Sequence, residues 1–214
     1  MSRRPLVAAA FLLTSLFSAS SANAQSKLEF SPFVGAYMPT RPLVADTTGA
    51  TEIFETKSDV VFGVRLGYWL SGRFGLEGSL ALSPTETSLL VAGSTTQTIK
   101  FRASAFMADL RGRFDVTNPS APTRLHLNAG LAYTRSSNAF FDLAHEIGQL
   151  KFKTSLGGVI GAGVSRRIGN GVDLRLDIED RIYKTDFESP TSTVNLKSRT
   201  QHDFIFATGL GFHL

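Results

Sequence analysis

The chain has no cysteine in 214 residues, so no disulfide can hold it together. A chain of this size without disulfides must rely on its core or on backbone hydrogen bonding. It has a single tryptophan, and no stretch approaches 18 consecutive apolar residues, which excludes a spanning helix. One-signed charge is also scarce: 22 Lys+Arg stand against 18 Asp+Glu, with no basic cluster of the kind that binds nucleic acid. Nineteen glycines and 17 phenylalanines are what is abundant, and they favour strands and turns.

The N-terminus has a layout of its own. Arg3 and Arg4 precede an apolar run from Leu6 to Phe17, and small residues follow up to Ala22-Asn23-Ala24. This is the three-part pattern of a secretory signal peptide, with cleavage expected after Ala24. Residues 1–24 are therefore read as a signal peptide and 25–214 as one domain of 190 residues. Without Arg3 and Arg4 the basic excess falls to 20 against 18.

Past Gln25 the hydrophobic period is two. In Val172–Tyr183, Val172, Leu174, Leu176, Ile178 and Ile182 share one face, and Asp173, Arg175, Asp177, Glu179 and Arg181 share the other. Asp180 alone breaks the apolar side. A helix would scatter these charges, whereas a strand sorts them. The same alternation marks 27–37, 58–69, 74–83, 98–114, 123–135, 151–166 and 201–213. In the fourth segment Lys100 and Arg102 fall on apolar parity. Either a bulge near Ala103–Ala105 resets the phase, or that end stands above a lipid band.

The connections alternate. Leu70–Arg73, Asp115–Pro122 and Arg167–Gly171 are short, whereas Met38–Lys57, Pro84–Gln97, Ser136–Leu150 and Lys184–Thr200 are long. That alternation predicts an all-β, eight-stranded antiparallel up-and-down transmembrane barrel, with short periplasmic turns, long extracellular loops and both termini in the periplasm. A soluble lipocalin-like barrel has the same period but points its apolar face inward. The polar face separates the two. It carries Arg65, Arg111, Arg113, Arg124, Arg175 and Arg181, with Glu77, Asp109, Asp173, Asp177, Glu179, Asp203 and His126, interleaved with glycine and alanine. Balanced charge among small residues fits a narrow lumen closed by ion pairs. Hairpin register predicts Arg65 opposite Glu77, Arg181 opposite Asp203, Asp177 opposite Gly161, Arg113 beside Arg124, and Arg111 beside His126. The two like-charged neighbours would need acids from a third strand, with Glu77 and Asp109 nearest.

These patterns resemble the small eight-stranded outer-membrane barrels of the OmpA, OmpX and opacity-porin type. Leu28–Tyr37 (LEFSPFVGAY) is similar to their first strand. Phe204–Leu214 (FIFATGLGFHL) resembles the C-terminal strand read by the barrel-assembly machinery, with Leu214 where an aromatic residue is usual. The resemblance implies outer-membrane lipid and that machinery as partners, and an extracellular ligand or surface partner at the long loops.

No catalytic arrangement is visible. The glycines Gly157, Gly158, Gly161 and Gly163 lack the strand–turn–helix setting of a phosphate loop. Lipid A deacylases of this size carry a His-x-Ser pair, but here the place reads His126-Leu127-Asn128. There is no Gly-x-Ser-x-Gly, and His145-Glu146 has no second histidine at metal spacing. Asp177 and Glu179 lie between Arg175 and Arg181, which suits an ion-pair network better than an acid/base pair. Neither cofactor nor metal is expected. The function expected is that of a structural or surface-interaction barrel with a plugged interior. A small porin is the alternative, and a lipid-modifying enzyme is third.

Overall fold

The computed structural model describes residues 27–40, 44–45, 52–91, 97–138, 151–152, 155–185, 187–188 and 199–214. The expected signal peptide lies outside them. Eight long strands follow the period-two segments: β1 (Leu28–Pro39), β2 (Asp59–Trp69), β3 (Phe74–Val91), β4 (Gln97–Asp115), β5 (Thr123–Asn138), β6 (Ser155–Gly169), β7 (Val172–Thr185) and β8 (Arg199–His213). Each pairs antiparallel with its sequence neighbours, and β8 returns to β1. The sheet is thus a closed barrel, with no edge left exposed in its wall.

Following paired residues once around leads from Leu28 through Tyr68, Leu76, Gly112, Ala129, Ile160, Asp180 and Phe204 to Met38. The return is staggered by ten residues, from 28 to 38. With ordinary strand spacings this gives a tilt of roughly 40° and a radius of about 8 Å. Long side chains from opposite walls therefore meet at the axis.

The wall is inside-out relative to a soluble protein. The largest fully buried side chains are Arg65, Arg111, Arg175 and Arg181, whereas Leu131 and Leu156 are 74% and 77% exposed. An outward row of leucines, valines and phenylalanines covers every strand, and burying guanidinium groups behind it makes sense only if the outside is hydrocarbon. Tyr68, Phe74 and Phe114 sit on this outer face near the short turns, the place of an interfacial aromatic girdle.

Several local expectations need correction. The connection at 84–97 is mostly strand: β3 and β4 stay paired up to Val91↔Gln97, with no register shift and hence no bulge at Ala103–Ala105. Arg102 is exposed on this projecting hairpin. The connection at 38–57 contains a strand, Glu52–Thr56, that extends the hairpin by pairing with Thr87–Val91. Strand β6 begins at Ser155, and Lys151–Phe152 pairs separately with Phe187–Glu188. Val44–Ala45 pairs in turn with Phe54 and Ile53 of the Glu52–Thr56 strand. The other parts of the long loops, including the adjacent phenylalanines Phe140-Phe141 and His145-Glu146, lie outside the described residues.

Three hairpin registers also differ from expectation. Arg65 faces Ser79, and Glu77 faces Gly67. Asp177 faces Gly163, with Glu179 opposite Gly161. Arg113 faces Asn128, Arg111 faces Gly130, and His126 faces Asp115. The physical reason lies in the turns. Asp115 belongs to β4, so the second short connection starts later than charge patterning implies. At the β6–β7 turn, Gly171 takes φ of 72° and the register shifts beside Val172. This is the turn-plus-bulge geometry that needs a glycine in the left-handed region. Arg181 does face Asp203.

Candidate functional site: the ion-paired lumen

Each inward residue is placed by strand parity, and the barrel's narrow radius brings distant strands together. Among the described residues, eight buried carboxylates meet six buried arginines. They fall into levels along the axis.

At the end holding the termini, Trp69 lies in the mouth. Its indole N–H donates to Glu29 Oε2 at 3.2 Å, and the Arg113 guanidinium stacks 4.8 Å over its ring. Arg113 also reaches Asp115 at 3.2 Å and Glu29 at 3.3 Å. Arg124 reaches Asp115 at 3.2 Å and pairs with Asp173, which also contacts His213 at 2.9 Å.

The middle level crosses the lumen. Arg65 on β2 spans to Asp177 and Glu179 on β7, at 2.7 Å each. Arg111 holds Glu77 and Glu179, again at 2.7 Å each. Arg175 holds Glu77 at 2.7 Å and Glu29 at 2.9 Å. His126 Nε2 lies 2.7 Å from Asp177. These contacts join six of the eight strands across the axis, and charge-assisted pairs of this geometry are the strong kind.

Above them, Arg181 pairs with Asp109. The hydroxyls of Tyr37 and Tyr183 both donate to Asp203 Oδ2, at 2.6 Å each. Higher on one side the inner face turns apolar, with Val61, Met107 and Ile205 at 0% exposure and Phe33 beneath the Arg65 guanidinium at 4.1 Å. Glycines leave room for the large groups. A Cβ on Gly163 would sit 2.5 Å from both Asp177 Oδ1 and His126 Nε2.

The structure brings all thirteen sequence-derived polar residues inside and adds Glu29, Asp115, Tyr37 and Tyr183 to them. The acids that resolve the Arg113–Arg124 conflict are Asp115 and Glu29, with Glu77 only 3.9 Å from Arg113 and Asp109 not involved. Glu29 shares parity with Ser31 and Phe33, and Asp115 with Arg111 and Arg113. Both were therefore legible from alternation carried to the strand ends. Among the described residues, no group of three or more His, Asp or Glu side chains could hold a metal.

A sequence profile of the outer membrane protein beta-barrel domain matches residues 9–212. The chain belongs to this family. The barrel is similar to OprG of Pseudomonas aeruginosa, at 15% identity and TM-score 0.60, covering 90% of this chain and 98% of that one. It is also similar to AlkL, at 13% identity and TM-score 0.63, covering 91% and 93%. Outer Membrane Protein W of E. coli matches at 19% identity and TM-score 0.51, covering 89% and 100%. At these identities the likeness concerns the fold. No curated protein matches the chain.

Proposed function

We propose that this outer-membrane barrel is a closed scaffold whose ion-paired interior blocks the lumen, and that it acts through the connections at the end away from its termini. The carrying observation is the middle level, where Arg65, Arg111 and Arg175 reach across the axis with exposure of 1% or less. An eight-stranded barrel is just wide enough for side chains to fill it. The short turns and both termini are then periplasmic, and the longer connections extracellular, where rigidly supported loops carry binding functions. The C-terminal strand, with Phe206 and Leu210 on its lipid face, is the segment offered to the assembly machinery. Among the described residues His126 is engaged by Asp177, and its neighbour of like parity is Asn128 rather than a nucleophile.

The competing reading is a small porin, for which the same charged residues would line a water path. Planar-bilayer recordings of refolded protein separate the two. A silent bilayer supports the plugged scaffold, and steady single-channel current overturns it in favour of the porin.

A further inference from the structure

The lipid-facing wall is not evenly clad. On the outer faces of β2 to β6, one row of paired residues runs Leu66, Gly78, Leu110, Leu131 and Gly158. The next row runs Val64, Leu80, Ala108, Tyr133 and Leu156. Gly78 and Ala108 are diagonal neighbours in these rows, and between the larger side chains they open a groove of about 460 Å³. That volume lies within the range of ligand clefts, roughly 300–1,000 Å³. Leu131 and Leu156 stand proud beside it as the most exposed large apolar side chains of the described wall.

The groove has a polar end. One row further from the termini, Phe106 pairs with Arg135. Phe106 and Tyr133 pack edge to face with centroids 6.3 Å apart, at the level of an interfacial girdle. Arg135 is exposed and two residues from Tyr133, about 6.6 Å along the strand. Arg102, of the same outward parity, is exposed further up β4. Among the described residues neither arginine has an ion-pair partner, unlike the six arginines of the lumen.

An apolar trough leading to an aromatic pair and then to a free guanidinium matches one kind of occupant. We infer that this face is a docking site for a single anionic, phosphate-bearing membrane lipid, with an acyl chain in the Gly78–Ala108 groove and the phosphate at Arg135. Guanidinium suits phosphate because its planar fork can donate two parallel hydrogen bonds, and the groove immobilises a chain that would otherwise be ordinary annular lipid. Which leaflet supplies the lipid rests on the orientation proposed above. The binding itself does not.

The test uses the whole mature chain refolded in a non-ionic detergent. Dimyristoylphosphatidylglycerol or dimyristoylphosphatidylcholine is titrated in, and retained lipid is counted by native mass spectrometry. The expected result is one phosphatidylglycerol held with roughly fivefold preference, near the upper end for one partly exposed ion pair. Arg135→Gln should abolish the preference while leaving some chain binding, and Gly78→Leu should remove retention of both lipids. A Cβ at Gly78 meets nothing nearer than the Asp109 carbonyl at 3.9 Å, so the barrel should tolerate that change. A heat-modifiability gel verifies that each variant is folded. Equal retention of the two lipids, no response to either substitution, or displacement by inorganic phosphate alone would each overturn the inference. In intact cells, labelling a single cysteine placed at Ser71 from outside would overturn the orientation and leave the micelle result untouched.

Discussion

Glu77 is the carboxylate on which the middle of the lumen turns. Its Oε1 accepts from Arg111 Nε at 3.0 Å and Nη2 at 2.7 Å, and its Oε2 accepts from Arg175 Nη1 at 2.7 Å. Arg65 and Arg113 lie 3.9 Å away. Glu77→Gln keeps the volume but removes the charge and turns an amide N–H₂ toward guanidinium donors. Orphaning a buried charge costs about 3–5 kcal/mol. Here Arg111 retains Glu179 at 2.7 Å and Arg175 retains Glu29 at 2.9 Å, so the expected loss is smaller, about 2–3 kcal/mol. Urea unfolding of the barrel refolded into vesicles reads this through Trp69, the sole tryptophan, with the heat-modifiability gel as a second probe. Combining Glu77→Gln with Arg175→Gln should cost less than the sum of the two, with a coupling of about 1–2 kcal/mol. A single-variant change below about 0.5 kcal/mol, the size of an ordinary surface substitution, would refute the reasoning. It would mean that water already screens the lumen.

Two other sites give sharper contrasts. Gly163→Ala pushes a methyl between Asp177 and His126, which are 2.7 Å apart, and should cost about 2 kcal/mol in the same assay. Gly78→Ala, on the open outer face, should change stability by less than about 0.5 kcal/mol. If the two glycines respond alike, the inward and outward assignments are wrong. Asp180 is the one acid of β7 on the outer face, where His202 Nδ1 meets it at 2.9 Å. Asp180→Leu should leave the barrel as stable or more so, whereas His202→Ala should lose about 1 kcal/mol by leaving a carboxylate against hydrocarbon. Destabilisation by Asp180→Leu instead would show that the pair holds the strands together.

Much of this architecture is legible in the sequence because one physical signal dominates it. A strand alternates its faces whatever its neighbours do, so Arg175, Asp177, Glu179 and Arg181 are sorted to one side before any pairing is known. Balanced charge on that side then separates lipid outside from water outside. Register is a different matter. It depends on where a turn begins and whether a bulge inserts a residue: alternation gives Asp115 its inward parity but does not mark where β4 stops, and it does not show the bulge beside Gly171. A shift of two or four residues preserves facing, so the inward set is found while its partners are misassigned, as with Arg113 and Asn128. Contacts across the axis, such as Arg65 with Glu179 or Arg175 with Glu29, depend on the stagger of the closed barrel. No single hairpin contains that stagger. The β3–β4 hairpin is longer than expected because its ladder continues past Pro84, where the alternation of apolar residues ends.

The closed lumen is the central claim, and the absence of native cysteine makes it accessible to a clean labelling experiment. Ser79 is an inward mid-barrel residue, 3% exposed, whose hydroxyl has no partner, so Ser79→Cys loses no hydrogen bond. Ser71, in an exposed short turn, supplies the reference as Ser71→Cys. A small water-soluble thiol reagent applied to each refolded variant should label position 71 rapidly and leave position 79 unreacted until the barrel is unfolded. Labelling of both at similar rates would mean that water threads the arginines and carboxylates, and the plugged scaffold would give way to a pore.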